Sequence, residues 1–539
     1  MQRRNFLAKS LAIPGIISTI SKINTPHQTE DQNHCPKIIS DLVPNILFMM
    51  TDQFRYDCLG ANGNKIIHTP NLDRLANQSA NFSHAFVQSP VCTPSRACFF
   101  TGRYAHAHKN RVNYTPIDKD EILMPKYLQK AGYTTALIGK SHLYYNYPPT
   151  LEEAIHLGFE FVELHDGVPA TDPYSAYVEW RMKNDPMKEI YYRELAKNVP
   201  KLSSALKPKE NPFRAAIHEN FTDTHWTGIF TRYYLEKFAK TNKPFFIFSS
   251  FWKPHSPFEV PSPFDSLYND ILIPLPKKET RETILNLPPA LSKLILRDEY
   301  RDKKPAYDMD PEQLQWIYRS YYGSISLIDK EIGLILKTLD DTGLSNKTII
   351  LFTSDHGDQL LEHGLMGKNV FYESSVRVPL ILHYPPSIKP GKYEDLVMSI
   401  DVLPTLFDLI GIQEPYNCQG QSLVPLITES ERAYQSRDWI FSENIIPEVF
   451  ANTFNFEKGK GVMGIRHPDA KMIRTKRWKY NYYPKGHQEL YDLNHDPGEL
   501  INLAGDIKYK SISEELKGHL LDWLITASET DQIAPRWLI

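Results

Sequence analysis

Continuous apolar runs, most of which end in polar residues, constrain the fold of this chain more than any other feature. Five short runs have this character, at residues 45–50, 133–138, 245–248, 348–352 and 378–383. Unbroken apolar residues, rather than alternating ones, are typical of strands that are covered on both faces, as in a parallel sheet. Apolar residues at helical spacing over 323–339 predict a crossover helix that leads into the fourth run. We therefore predict an α/β fold in which helices sandwich a large, mostly parallel or mixed sheet.

The first four runs end on, or just before, polar side chains that can carry chemistry. These side chains are Asp52, Lys140, His142, His255, Asp355 and His356. Ligands of open α/β sheets bind beyond the carboxyl ends of the strands. We therefore expect these side chains to lie together at one edge of the sheet.

The length of the chain, 539 residues, allows more than one domain. Strand-like stretches at 471–483 and 489–493, followed by a helical pattern over 512–525, predict a small C-terminal α+β subdomain with an antiparallel sheet. The predicted divisions are an export signal and linker at 1–40, a catalytic domain at 41–430 and the α+β subdomain at 431–539.

Composition and the character of several segments exclude some classes of function. Lys and Arg number 61 against 64 Asp and Glu, so the net charge of −3 provides no field that attracts nucleic acid. Basic and aromatic residues over 474–480 are interpreted as an exposed strand rather than a nucleic-acid site. The five cysteines include no Cys-x-x-Cys pair, which argues against a disulfide framework and a zinc site. Residues 160–243 and 257–313 have poor periodicity and are interpreted as long excursions around the site.

The N-terminus has the features of an export signal. Arg3 and Arg4 are followed by Phe6, Leu7 and a weakly apolar stretch over 10–23, a pattern that resembles a twin-arginine signal. The stretch is too short to cross a bilayer comfortably, so we expect no stable membrane span. We expect export to the periplasm, with the extracellular space or the cell surface as alternatives. A disordered basic tail is the simpler explanation of the same residues.

Residues 92–103 form the most specific motif, Cys-Thr-Pro-Ser-Arg-Ala-Cys-Phe-Phe-Thr-Gly-Arg. The motif resembles the signature of type I sulfatases, members of the alkaline phosphatase-like superfamily, in which the cysteine is oxidised after translation to Cα-formylglycine. The resemblance extends from about residue 44 to residue 504. It includes further segments in the family's order, at 69–76, 139–142, 253–258, 354–358 and 489–499.

The resemblance implies a sulfuric-ester hydrolase that acts through a metal-bound formylglycine hydrate derived from Cys92. One hydroxyl of the hydrate would attack the sulfate ester, and deprotonation of the other would expel the sulfate and restore the aldehyde. One divalent metal is implied, and the residues carried over as its ligands are Asp52, Gln53, Cys92, Asp355 and His356. This largely oxygen shell favours Ca2+. Many family members have Asp in place of Gln53 and Asn in place of His356, so Mg2+ and Mn2+ remain alternatives.

The resemblance also implies roles for cations and histidines around Cys92. Arg96 and Lys140 would hold the metal-bound oxygen of the hydrate, and His142 would be the base that deprotonates the second hydroxyl. His255 and Lys368 would contact the sulfate and the bridging oxygen and assist departure of the alcohol. Ser95 and Arg103 would support the motif without touching the substrate.

The implied substrate is a sulfated carbohydrate, an oligosaccharide or polysaccharide of algal or glycosaminoglycan type. Export and the aromatic residues at 174–180 and 191–192 favour a sugar, because aromatic faces stack on sugar rings. The implied partner is the formylglycine-generating, or sulfatase-maturating, enzyme. The main alternative is a phosphonate monoester or phosphodiester hydrolase, since such relatives share the Asp-Gln and Asp-His pairs. A non-catalytic carbohydrate-binding relic is the alternative outside enzymes.

Overall fold

The structure is a computed structural model in which the described residues are 43–113, 115–144, 151–166, 175–185, 213–215, 217–296, 306–445 and 469–527. The predicted export signal and linker at 1–40 lie outside these residues, as does the aromatic pair at 191–192. Within the described part of the chain, no helix combines the length and hydrophobicity that crossing a membrane requires.

A mixed eight-stranded sheet forms the centre of the fold. Its strands are β1 (Asn45–Asp52), β2 (Ala80–Phe86), β3 (Thr134–Gly139), β4 (Phe161–Leu164), β5 (Phe245–Pro254), β6 (Thr348–Ser354), β7 (Leu380–His383) and β8 (Gly391–Met398). The spatial order is β4-β3-β5-β1-β6-β7-β2-β8. Strand β1 is parallel to both β5 and β6, whereas β7 is antiparallel to β6 and β2. The predicted α/β fold with a large parallel or mixed sheet is confirmed.

The helices pack on this sheet, on one another or, for the last of them, on a smaller sheet near the C-terminus. They are α1 (Pro70–Asn77), α2 (Cys92–Thr101), α3 (Met124–Lys130), α4 (Leu151–His156), α5 (Ala176–Asn184), α6 (Asp223–Phe238), α7 (Arg281–Leu285), α8 (Pro289–Ile295), α9 (Pro311–Asp341), α10 (Glu373–Val376), α11 (Val402–Leu409), α12 (Val424–Ile427) and α13 (Lys510–Thr526). All residues of β1 and β6 are buried, which is why their sequences read as unbroken apolar runs.

The predicted crossover helix before β6 is α9, and it begins twelve residues earlier than its clearest periodicity. Asp310 caps the helix by accepting a hydrogen bond from Glu312 N, and Pro311 fits the first helical position. Gly323 does not mark a helix start: a Cβ there would lie 2.5 Å from the carbonyl oxygen of Phe264, so glycine permits a close approach within the helix.

One expectation about the excursions is wrong. Helix α6 falls inside 160–243 but packs on β3, β5 and α9, and the side chain of Trp226 is completely buried. Its buried face mixes Trp226 with hydroxyl residues such as Thr227 and Thr231. The sequence of α6 therefore shows no clear apolar stripe. The hydroxyl of Thr231 can be buried because it forms a hydrogen bond with Ser249 Oγ of β5 at 2.7 Å.

A separate four-stranded antiparallel sheet lies near the C-terminus, as predicted. Its strands are β9 (Trp439–Ile445), β10 (Asp469–Thr475), β11 (Trp478–Tyr482) and β12 (Gln488–Asp492), in the order β12-β11-β10-β9. The ring of Trp523 in α13 stacks on Phe441 in β9, with centroids 4.6 Å apart. The domain boundary near residue 430 stays a prediction.

Our interpretation of 474–480 as an exposed strand holds only in part: Lys476 and Arg477 are exposed, but Arg474 and Lys479 are buried. Arg474 is 3% exposed and pairs with Glu373 at 2.9 Å. Lys479 is completely buried and lies 2.8 Å from Glu373 and 2.7 Å from Glu499. Their carboxylate partners offset these buried charges and tie the four-stranded sheet to α10, the helix that carries Glu373.

The cysteines in the described part of the chain are free thiols: Cys58, Cys92, Cys98 and Cys418. This agrees with a sequence that shows no disulfide framework. Three of them are buried.

Candidate active site

The carboxyl ends of two central strands and the first residue of α2 meet at one edge of the large sheet. Asp52 ends β1, Asp355 and His356 follow β6, and Cys92 begins α2. Ligand atoms of these four side chains all lie within 4.8 Å of one another, and each residue is at most 1% exposed. The edge predicted from the strand ends therefore gathers these residues into a buried polar cluster.

The sulfur of Cys92 lies between a cation and an imidazole. Lys368 Nζ is 2.7 Å from the sulfur and His356 Nε2 is 3.3 Å from it. Burial and the Asp52 carboxylate raise the pKa of the thiol, but the charges of Lys368 and Lys140 outweigh them, and that pKa lies well below its ordinary value. The positive charges beside position 92 therefore outweigh the nearby carboxylate and stabilise an anion there.

Arg96 is one turn along α2 from Cys92 and is completely buried. Its Nε donates to Asp355 Oδ2 over 2.8 Å, and its Nη1 donates to Lys140 O over 2.9 Å and to Ser250 Oγ over 2.8 Å. Its Nη2 lies 3.6 Å from Asp52 Oδ2. The guanidinium thus fixes both carboxylates of the cluster from one side.

Lys140 follows β3 and lies 2.5 Å from Asp52 Oδ2. The preceding Gly139 has a φ of 91°, and a Cβ there would collide with the carbonyl oxygen of Ser250. Burial would raise the pKa of Asp52, but Lys140 and Lys368 hold it well below its ordinary value. Burial lowers the pKa of Lys140, but Asp52 more than offsets this and raises it. Both side chains are therefore charged.

Gln53 adopts a left-handed backbone conformation, with φ at 73°, which is unfavourable for a residue with a side chain. Its N–H donates to Asp355 Oδ1 over 3.1 Å, and its carbonyl oxygen accepts from Tyr321 Oη over 2.6 Å. Its side-chain Nε2 donates to Asp358, and its Oε1 accepts from Lys368 Nζ over 3.2 Å. Contacts on the backbone and on both ends of the amide hold the residue in place.

The cluster has the donors that a divalent cation needs. Asp52 and Asp355 provide carboxylates, and the amide oxygen of Gln53 lies 3.2 Å from Lys368 Nζ, which is itself 3.9 Å from Asp52 Oδ1. His356 Nδ1 lies 2.9 Å from the carbonyl oxygen of Gly357, so Nδ1 carries the hydrogen and Nε2 presents a lone pair to the cluster. A mostly oxygen set with one nitrogen, balanced by buried cations, fits Ca2+, Mg2+ or Mn2+.

His142 follows Lys140 by two residues and is 7% exposed. Its backbone φ is 52°, and its N–H donates to Asp166 Oδ1 over 2.6 Å. Burial, with the charge of Lys140 as the next cause, lowers its pKa to about 3. The imidazole is therefore neutral at pH 7 and can accept a proton.

His255 lies just beyond β5 and is only partly buried. Its Nδ1 is 2.6 Å from the carbonyl oxygen of Ser256, and its ring stacks on Trp252 with centroids 5.6 Å apart. Burial, followed by the charge of Lys368, lowers its pKa to about 3. The resting imidazole is neutral, and an anion bound beside it would raise the pKa.

Ser95 and Arg103 are placed in supporting positions. Ser95 Oγ donates to the carbonyl oxygen of Asp355 over 2.5 Å, which ties α2 to the end of β6. Arg103 forms an ion pair with Glu121 at 2.7 Å, away from the cluster.

Sequence reasoning missed four residues that hold the site side chains: Asp166, Ser250, Tyr321 and Asp358. Asp358 is the last residue of the motif at 354–358, so the motif could have identified it. The other three are distant in sequence from the residues they contact. A motif covers only a short stretch of sequence and therefore could not identify them.

Comparison with known proteins agrees with this geometry. A family model described as Sulfatase matches residues 44–412, and one described as N-sulphoglucosamine sulphohydrolase, C-terminal, matches residues 361–525. An arylsulfatase from Clostridium perfringens is 32% identical over 496 residues, 89% of this chain and 94% of that protein. An N-acetylglucosamine-6-O-sulfatase from Bacteroides thetaiotaomicron is 27% identical over 520 residues, 88% of this chain and 85% of that protein. The crystal structure of a phosphonate monoester hydrolase of Agrobacterium radiobacter superposes with a TM-score of 0.74 at 27% identity, covering 90% of this chain and 96% of that chain.

Proposed function

The chain belongs to the sulfatase family of enzymes, and from this we propose that it hydrolyses sulfuric esters of carbohydrates through a formylglycine formed from Cys92. One observation supports the proposal most strongly. The sulfur of Cys92 lies among two carboxylates, an imidazole and a lysine ammonium group, on a helix that also buries Arg96 against Asp355. A buried cysteine of purely structural role needs none of these charges.

The formylglycine hydrate would supply an attacking hydroxyl and a second hydroxyl for release of sulfate, and one divalent cation would supply positive charge beside them. The proposed cation ligands are Asp52, Gln53, Asp355 and His356, together with the modified position 92. We propose Ca2+, with Mg2+ and Mn2+ as alternatives.

The remaining residues hold the substrate and move protons. Lys368 is 12% exposed and lies 2.7 Å from the sulfur of Cys92, so it can contact both position 92 and an incoming sulfate group. Arg96 and Lys140 hold the carboxylate of Asp52 in place from the buried side. These cations are fixed before the substrate arrives, which favours charge that develops in the transition state.

The two neutral histidines suit opposite directions of proton transfer. His142 is neutral, so its imidazole has a lone pair for a proton from the group at position 92, and an anion held there would raise its low pKa and make it a stronger base. His255 lies at the more exposed side, where the anionic sulfate of a substrate would raise its pKa and let it carry a proton to the departing alcohol.

The substrate class is proposed from the relatives and from the site. The similar protein from Bacteroides thetaiotaomicron is an N-acetylglucosamine-6-O-sulfatase, which supports a sulfated sugar. We also propose export by the N-terminal signal and maturation of Cys92 by a formylglycine-generating enzyme.

A phosphonate monoester hydrolase is the second candidate function. The observation that favours it is the similarity to the phosphonate monoester hydrolase of Agrobacterium radiobacter. The Gln53 and His356 pair fits both candidates, because some sulfatases resemble the Asp355-His356 half as well. A phosphonate monoester is also an anion that the same cations could hold.

Parallel assays of the purified full chain on a sulfate ester and a phosphonate monoester test the proposal. We expect a higher kcat/KM for the sulfate ester and loss of both activities in Cys92→Ala. A higher kcat/KM for the phosphonate ester would favour the second candidate. Undiminished turnover by Cys92→Ala would contradict both. A panel of defined sulfated oligosaccharides then identifies the sugar and the sulfate position.

A further inference from the structure

The side-chain amide of Gln53 has two ends of nearly the same shape and opposite chemistry. Its oxygen can bind a cation, whereas its NH2 group is a donor only and would repel one. The backbone of Gln53 does not choose between these orientations, because rotation of the amide by half a turn leaves φ and ψ unchanged. A neighbouring side chain must therefore fix the orientation of the amide.

Asp358 contacts one end of this amide. Within the described residues its carboxylate accepts three hydrogen bonds, all from N–H donors: Gln53 Nε2, Leu360 N at 2.8 Å and Gly367 N at 3.0 Å. The two backbone donors occupy Oδ1, so Oδ2 is directed at Gln53. Asp358 is completely buried, which makes an unsatisfied donor there costly.

The other end of the amide supports the same orientation. Gln53 Oε1 lies 3.2 Å from Lys368 Nζ, and an ammonium group can only donate. The amide is thus held between an acceptor at its nitrogen and a donor at its oxygen. Lys368 follows Gly367 directly, so the same carboxylate also anchors the loop that carries this lysine.

We propose that Asp358 is a positioning residue that fixes the Gln53 amide with its oxygen toward the cation site. The inference rests on the proposed function, because it takes Gln53 as a ligand of the cation. Asp358 itself touches neither the substrate nor the cation; it acts through Gln53 and the Lys368 loop.

Asp358→Asn is expected to reverse the orientation of the Gln53 amide. The two backbone N–H groups still require an oxygen, so the introduced asparagine keeps Oδ1 on Leu360 and Gly367 and directs its own NH2 group at Gln53. Two NH2 groups then face each other, and the Gln53 amide rotates so that its oxygen accepts from the introduced asparagine. Its nitrogen now faces the cation site. We expect cation affinity to fall at least about tenfold, in the range found for residues that orient metal ligands.

The double variant Gln53→Glu/Asp358→Asn is expected to bind the cation more tightly than Gln53→Glu alone. A glutamate at position 53 accepts from the NH2 group of the introduced asparagine with one oxygen and presents the other to the cation site. In Gln53→Glu alone, two carboxylates face each other, which is unfavourable. Asp358→Asn is therefore expected to weaken cation binding in the parent background and to strengthen it in the Gln53→Glu background.

Asp329→Asn is a matched control. Asp329 is a buried carboxylate that accepts from the backbone N–H groups of Asn71 and Leu72 and from the Asn71 side-chain amide, as Asp358 accepts from two backbone groups and an amide. It lies on α9, where it holds α1. This variant measures the general cost of such a change and is expected to bind the cation like the parent.

The experiment is calorimetric titration of the metal-free full chain and its variants with Ca2+ and, in parallel, with Mn2+, beside a thermal unfolding curve for each. The inference is overturned if Asp358→Asn binds like the parent, or if the double variant binds no better than Gln53→Glu. If the parent binds neither of these cations nor Mg2+, the proposed cation site fails and this inference fails with it. If Asp358→Asn does not fold, Gln53→Glu still decides: we expect weaker binding than the parent despite its added negative charge, and tighter binding would refute the role of Asp358.

Discussion

The ammonium group of Lys368 lies 2.7 Å from the sulfur of Cys92, although 276 residues separate the two in the chain. The contact joins the loop after β6 to the first turn of α2. It places the positive charge of Lys368 beside position 92, where the proposed mechanism requires an anion. The proposed cation binding and proton transfer take place around this contact, the proposed modification of Cys92 precedes it, and each of the three can be measured.

The first prediction concerns the modification of Cys92. We expect active protein to carry formylglycine at position 92, because the charges around it suit an oxygen nucleophile rather than an inert thiol. Mass spectrometry of the peptide that contains residue 92 detects the change. Cys98→Ala is the matched control: Cys98 lies in the same helix, and we expect this variant to remain modified and active. Full activity with only unmodified cysteine at 92 would disprove the mechanism.

The second prediction concerns the cation. A chelator is expected to remove activity, and Ca2+, or failing that Mg2+ or Mn2+, to restore it. Asp355→Asn should weaken cation binding more than Gln53→Ala does, because it removes a full charge that faces the ion. Calorimetry measures both affinities, and circular dichroism checks that Asp355→Asn keeps its fold. Equal losses in the two variants would contradict the charge argument.

The third prediction concerns His255. Its removal should slow substrates with poor leaving groups by about 10²–10⁴-fold and activated aryl sulfates far less, because a phenolate leaves with little protonation. Rates of His255→Ala on an alkyl and an aryl sulfate measure the difference. His487→Ala, which changes an exposed histidine, should leave both rates unchanged. Equal losses on the two substrates would remove His255 from the departure of the alcohol.

The fourth prediction concerns His142. If this residue acts after the ester bond is broken, His142→Ala slows both substrates to a similar degree. Rapid mixing should then show a burst of alcohol release followed by slow turnover, since the first step is intact and the second is impaired. A slow release of alcohol without a burst would place His142 before ester cleavage instead.

The fifth prediction concerns stability and pH. Burial lowers the pKa of His108 from 6.5 to about 3 in the folded protein. Between these values the unfolded chain binds a proton that the folded chain does not, so stability falls as the pH drops, by up to about 1.4 kcal/mol per pH unit for this group. Denaturant unfolding of the parent and of His108→Gln at several pH values measures the slope. We expect a shallower slope in the variant; an equal slope would mean that His108 titrates normally.

Much of the large sheet could be predicted because its central strands are buried on both faces. Strands β1 and β6 read as apolar runs, and their final residues indicated where the site would lie. Strand β2 gave no such signal, because Asn81, Ser83 and His84 interrupt its apolar residues. Partners outside the strand accept hydrogen bonds from two of these side chains: Asn62 Oδ1 from Asn81 Nδ2, and the carbonyl oxygen of Tyr393 from Ser83 Oγ.

The site could be predicted less completely than the fold. The motif identified Cys92 and Arg96, but the residues that orient them lie far away in the chain. Ser250 contacts Arg96 across 154 residues, and Tyr321 contacts Gln53 across 268. In a sequence, two charged residues that form a buried pair cannot be told from two surface residues, because only the fold brings them together.

The burial of Cys92 also sets an order of events during biosynthesis. The residue is 1% exposed in the folded protein, and His356 and Lys368, which enclose its sulfur, are added to the chain 264 and 276 residues later. The enzyme that we propose to oxidise Cys92 would therefore have to reach it between synthesis of the motif and closure of the sheet edge around it. Folding and maturation then compete for the same interval, and a substitution that speeds folding would lower the active fraction while leaving each mature molecule unchanged.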